Sequence, residues 1–205
     1  MTIDTKNLLK SILANISDIS YVKPEDIPNI DLYMDQVTTF MDSHLQSSKR
    51  YEDDKVLTKT MINNYAKNNL LPPPVKKKYS KEHVLVMIFI YYFKNILSIK
   101  DIETLLSPVT GHHFGNEDGM DLTAIYTEVM NLEHSRIDSV VKDIVKSFNG
   151  AGESFKDAPE EEQDYLQLFA FICSLSFDVY VKKLLMQKLI DEFGDADGKN
   201  EKKKR

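Results

Sequence analysis

Between Lys55 and Lys81 the chain gathers side chains suited to nucleic acid. Seven lysines and no carboxylate fall in this span, while the whole chain has a net charge of −6, so the remainder carries −13. On a helix begun by Thr58, the residues Met61, Ile62, Tyr65 and Ala66 recur at core spacing. That leaves Lys59, Thr60, Asn63, Asn64 and Lys67 outward. Lysine neutralises phosphate, and asparagine or threonine meets base edges or phosphate oxygens. A well-placed amide–adenine pair discriminates by about 1–3 kcal/mol. Beyond Pro72, Pro73 and Pro74 comes a second basic stretch, Lys76, Lys77 and Lys78, followed by Tyr79. A blander reading of the same residues is a solvated helix face and three lysines that only solubilise.

The rest of the chain bounds what this cluster serves. With 205 residues, 42% hydrophobic and 28% charged, the composition is that of a folded chain of one domain with appendages, or two small ones. Seven glycines and seven prolines are few for a sandwich of many tight turns, so an all-α fold is expected. One cysteine allows no internal disulfide and fits a reducing cytoplasm. The N-terminal residues do not read as a signal peptide. The apolar stretch 84–93 is too short to span a bilayer and 165–181 is interrupted by polar residues, so no membrane partner is expected.

Periodicity places helices over 4–19, from Asp31 to about Gln46, over 58–68, over 81–97, over a short stretch from Ser98 to Pro108, from Asp121 to about Phe148, and from Pro159 to Phe193. The stretch 84–93 is apolar on most sides and belongs at the centre. Pro108 is expected to end its helix, with 107–119 as a loop. The triple proline is expected to stop helix 58–68. The tail 195–205 is basic at its end and reads as disordered. The expected organisation is an N-terminal helix and linker (1–30), a DNA-binding domain (31–108), a helical C-terminal region (109–194) and that tail.

Other chemistry is thinner. His112 and His113 lie near Glu117, Asp118 and Asp121, but adjacent histidines seldom face one ion and zinc spacings are absent, so no metal and no cofactor are expected. Cys173 sits in an apolar run and reads as a core thiol. Glu160, Glu161 and Glu162 suit a helix start better than catalysis. No phosphate-cradling glycine loop, HExxH or GxSxG is present, so the expectation is not an enzyme. The C-terminal helices are apolar on more than one side. They either cover the basic unit or form a homodimer, with a small apolar effector pocket among Phe169, Phe171, Phe177 and Tyr180 as a further option.

A short helix followed by a basic projecting loop has the outline of a winged helix-turn-helix. The order of residues over 57–106 resembles the DNA-binding domain of the MerR family: Met61-Ile62-Asn63-Asn64-Tyr65, then Asn69-Leu70-Leu71-Pro72, the wing's end at Lys76 to Ser80, the apolar helix Val84 to Phe93, and the turn from Leu97 to Leu106. Asn63 stands where that family has arginine, and Asn69 where it has glycine. Over roughly residues 20–175 the chain is similar to the bacterial domain of unknown function 1836 (DUF1836), found in low-GC Gram-positive bacteria and regarded as MerR-like transcriptional regulators. The resemblance implies an all-α, MerR-like winged helix-turn-helix with added N- and C-terminal helices. Together with the residue reading above, the expectation is a regulator of double-stranded DNA, as a homodimer, that uses Thr58, Lys59, Thr60, Asn63, Asn64, Lys67, Lys76, Lys77, Lys78 and Tyr79. The alternative is a protein-interaction adaptor that keeps the scaffold without binding DNA, which the missing arginine and the acidic remainder favour.

Overall fold

The computed structural model describes residues 5–17, 21–116 and 119–203. The protein is mostly helical among these: α1 (Thr5–Ser17), α2 (Met34–His44), α3 (Lys59–Lys67), α4 (Lys81–Phe93), α5 (Ile99–His113), α6 (Leu122–Gly152) and α7 (Glu160–Lys203). Two short strands, β1 (Leu32–Tyr33) and β2 (Lys78–Tyr79), pair antiparallel with Leu32 opposite Tyr79 and Tyr33 opposite Lys78. No helix among the described residues is long and apolar enough to cross a membrane.

The chain forms two compact units. One holds residues 21–130 and 185–205, the other 1–20 and 131–184. The first is organised around α4. Val84, Leu85, Val86, Met87, Ile88 and Ile90 are each 0% exposed, and the run is buried without periodicity from His83 to Tyr91. A helix with no polar side must be covered all round. The cover comes from Val37, Phe40 and Met41 of α2, Ile62 and Tyr65 of α3, Ile102 and Leu106 of α5, Leu122 and Tyr126 of α6, and Ile190 of α7. Tyr126 is fully buried, and its hydroxyl donates to the Val22 carbonyl at 2.7 Å. Burial without a cation raises its pKa.

In the second unit, the ring of Phe148 on α6 meets Phe171 on α7 edge-on at 5.2 Å. Gln167 Nε2 donates to the Ser154 carbonyl at 3.1 Å across the intervening turn. Much of α7 is left exposed, including Cys173, which is therefore not the core thiol its apolar neighbours suggested.

Several boundaries differ from the sequence expectation. Asp31 does not cap α2. The turn begins at Tyr33, whose N–H donates to Gln36 Oε1 at 2.8 Å, because residues 32–33 are drawn into the sheet. Pro108 lies inside α5 rather than ending it. Proline in a helix costs about 3 kcal/mol, and here Leu106 and Val109 on either side pack on the core. α6 continues through the glycines to Gly152, and α7 continues to Lys203 over the tail expected to be disordered. Asp121 does cap α6, accepting from Ala124 N–H at 2.7 Å.

The start of α4 has an unusual cap. His83 is 3% exposed, and its Nδ1 accepts from Ser80 N–H at 3.0 Å, the place a glutamate or glutamine holds in a capping box. Its Nε2 therefore carries the proton and donates toward the Pro73 carbonyl at 3.4 Å. The ring sits edge-on between Tyr79 at 5.5 Å and Phe114 at 4.7 Å. Burial holds the His83 pKa below its usual 6.5, opposed in part by the Pro73 and Pro72 carbonyls and Asp31. The folded state thus binds fewer protons than the unfolded chain. Stability is complete above about pH 6.5 and is lost as pH falls toward the lowered folded value. We predict that thermal unfolding shows this acid-side loss as pH falls below about 6.5, and that His83→Gln, which keeps an acceptor for Ser80, removes it. An equal loss in both proteins contradicts the assignment.

Candidate nucleic-acid interface

Thr58 begins α3 as its sequence context suggests: the hydroxyl accepts from Met61 N–H at 3.2 Å. Ile62 and Tyr65 are buried, while Lys59, Thr60, Asn63, Asn64 and Lys67 are exposed on the remaining surface. Met61, expected inward, is 36% exposed and joins that surface. Nine residues of helix thus present two amides, a hydroxyl and two ammoniums with no carboxylate of their own.

The helix stops before the prolines. Asn69 takes a left-handed backbone, φ 56°. Its N–H bonds the Ala66 carbonyl at 3.3 Å and the Leu70 N–H bonds that of Tyr65 at 2.9 Å, which is a Schellman motif. Asparagine is among the few residues besides glycine that enter this conformation readily. Asn69 therefore does the glycine's work, and Pro72 to Pro74 only shape the path into the next turn.

That turn has two central residues. Val75 and Lys78 exchange both backbone hydrogen bonds, at 3.1 and 2.9 Å. Between them Lys76 and Lys77 both have positive φ, 51° and 65°. Tight hairpins require this of both central residues, and Asn-Gly is the usual solution. Two lysines here are strained by roughly 1–2 kcal/mol each. Both are exposed, so the strain holds two ammoniums at a fixed tip.

Lys78 is half-buried, with its Nζ 5.2 Å from the centre of the Tyr33 ring. Tyr79 is only 3% exposed and packs on His83. Its alternation inward beside Lys78 results from the pairing with Leu32, so the ring is not available to a duplex. Thr58 is half-buried at its cap.

The turn and α3 meet at the start of α2. Lys59 forms an ion pair with Asp35 in the first turn of α2. Two residues earlier, Tyr33 carries Lys78 across the sheet and over its ring. Sequence reasoning missed both Tyr33, which is 54% exposed, and Asp35. Neither has a signal in its own neighbourhood, because the β1–β2 pairing joins segments far apart in the chain. A groove of about 540 Å³ runs beside α3, lined by Thr38, Thr39, Asp42, Ser43, Lys55 and Lys59 among others.

The two histidines of the metal alternative are each engaged with the backbone. The Nδ1–H of His112 donates to the Pro108 carbonyl at 2.8 Å and that of His113 to Met120 at 2.7 Å. Glu117 and Asp118 lie outside the described residues. Among the described residues no three potential ligands converge.

A family model, the domain of unknown function DUF1836, matches residues 22–129, more than half of the chain. The chain belongs to that family. The DUF1836 stretch begins and ends within one residue of the continuous part of the first unit, 21–130. Its extent is shorter than the 20–175 read from the sequence, and it holds α3, the lysine turn and α4 together. Val22 and Ile27 before α2, and Leu122 and Tyr126 of α6, are buried in the same core, so the DUF1836 fold takes in more on both sides than residues 31–108. No curated protein and no solved structure matches the chain.

The lysine turn yields a stability prediction. Lys76→Asn with Lys77→Gly relieves both left-handed positions, so the double variant is expected to be about 1–3 kcal/mol more stable than the parent in urea unfolding. An unchanged or lower midpoint contradicts the strain.

Proposed function

We propose that the protein is a sequence-specific DNA-binding transcriptional regulator of the winged helix-turn-helix type. In this reading α3 enters the major groove, with Asn63 and Asn64 at base edges and Lys67 at phosphate. The turn at Lys76 and Lys77 is the wing and rides on the backbone. The observation that carries the reading is the junction at β1 and α2, where Lys59 reaches Asp35 and Lys78 reaches Tyr33. It draws lysines from two separated segments toward one place, as phosphate tracking requires.

We also propose a homodimer through α7. Within the second unit, Tyr165, Ile172 and Val179 are all exposed at seven-residue steps. That spacing keeps one side of a helix toward a partner helix. The same exposed row favours a second reading, a protein-interaction adaptor on this scaffold that does not bind DNA.

Gel shift at two salt concentrations separates the two. Replacing Lys76, Lys77 and Lys78 by alanine is expected to weaken binding to every duplex. It is also expected to flatten the salt dependence by about 0.9 in log K against log salt for each phosphate no longer neutralised. Asn63→Ala or Asn64→Ala is expected to relax preference at one base pair and leave the slope unchanged. Asp35→Asn frees Lys59 and is expected to tighten binding. If the triple variant keeps both affinity and slope, the wing assignment fails. If the parent shifts no duplex, the adaptor reading replaces the regulator.

A further inference from the structure

A second cationic feature lies away from the lysine turn. The end of α4 and the connection before α3 border an open cavity of about 300 Å³, lined by Ser48, Lys49, Arg50, Asp54, Lys55, Val56, Tyr91, Lys94 and Asn95. Four of these are cations and one is an acid. Lys49 is neutralised by Asp42 at 2.8 Å, and Asp54 Oδ2 accepts the Tyr51 N–H at 3.0 Å. Glu52 and Asp53, on the same turn, are exposed and do not line the cavity. Counting Asp42 and Asp54, the cations still exceed the acids by two.

Lys94 is the informative member. Its Nζ donates to the Val56 carbonyl at 2.7 Å and lies 4.7 Å from the centre of the Tyr91 ring. It is half-buried, and no carboxylate pairs with it among the described residues. Burial lowers its pKa, which an anion beside it would raise again. A half-buried ammonium held by a carbonyl and a ring face retains donors for a further acceptor. Arg50 and Lys55 add charge, Asn95 an amide, and Ser48 and Tyr91 hydroxyls that now bond each other.

We propose that this cavity is a phosphoryl-binding site, taking either a small phosphorylated compound or a backbone phosphate of nucleic acid. Several convergent cations with neutral donors suit a multiply charged tetrahedral group better than a single carboxylate, which one lysine or arginine satisfies. The volume lies at the lower end of small-molecule sites, enough for a diphosphate. The site does not depend on the regulator reading, since Lys94, Lys49 and Arg50 play no part in it and Lys55 alone also lines the groove beside α3.

Titration calorimetry with inorganic pyrophosphate tests the site on the full chain at low ionic strength. The parent and a Lys76→Ala/Lys77→Ala variant are expected to bind equally, and Arg50→Ala/Lys55→Ala at least tenfold more weakly. Both variants lose two charges, so non-specific attraction would weaken them alike, and that result overturns the proposal, as does absence of binding by the parent. Duplex affinity then distinguishes the sources. If Arg50→Ala/Lys55→Ala keeps it, or if the parent binds pyrophosphate but no duplex, the occupant is a free phosphorylated compound. If that variant loses duplex affinity and pyrophosphate competes with the duplex, the occupant is backbone phosphate.

Discussion

The unbroken burial of α4 from His83 to Tyr91 is the constraint on which the rest of the family stretch depends. A helix of ten successive apolar or aromatic residues, Val84 to Phe93, has no side for water. Each buried Val, Leu, Ile, Met or Phe side chain contributes about 1.5–3 kcal/mol relative to exposure, and that gain exists only if neighbours close around the whole circumference. α2, α3, α5 and the start of α6 are each amphipathic and turn their apolar side to it. The solvent face of α3 is then settled by subtraction: Ile62 and Tyr65 go in, and the amides and lysines stay out.

The cap of α4 extends this constraint to the hairpin turn. His83 lies at the base of the turn, bonding Ser80 and Pro73 on its two sides and wedged between Tyr79 and Phe114. The segment 73–80 is thereby anchored at its start and end. The two-residue pairing with β1 anchors it a third time. A turn held this firmly tolerates two lysines in left-handed conformation, which a loose loop would relax. Strain at an exposed, like-charged tip has no benefit to folding, and under the proposed function contact with phosphate is what retains it.

Much of this was legible because it is local. Thr58 as a cap, the outward set on α3 and the centrality of 84–93 come directly from side-chain types at helical spacing. The failures were of two kinds. Some came from letting a local rule decide against packing: Pro108 does not break α5, because Leu106 and Val109 pack on the core, and Cys173 is exposed because nothing described covers that part of α7. Others came from pairing across long separations. Tyr79 turns inward, Asp31 yields its cap to Tyr33, and Asp35 finds Lys59 only once β1 and β2 join. The cavity at Lys94 has the same character. Its cations come from a polar connection and the end of an apolar helix, neither of which signals a site alone.

Hydrogen–deuterium exchange with and without a mixed-sequence duplex tests the central claim, that α3 and the lysine turn form a single contact surface for DNA. The account requires slower exchange on duplex addition in both 59–68 and 75–80, with α5 unchanged. Protection of neither segment, or protection confined to α6 and α7, would contradict it.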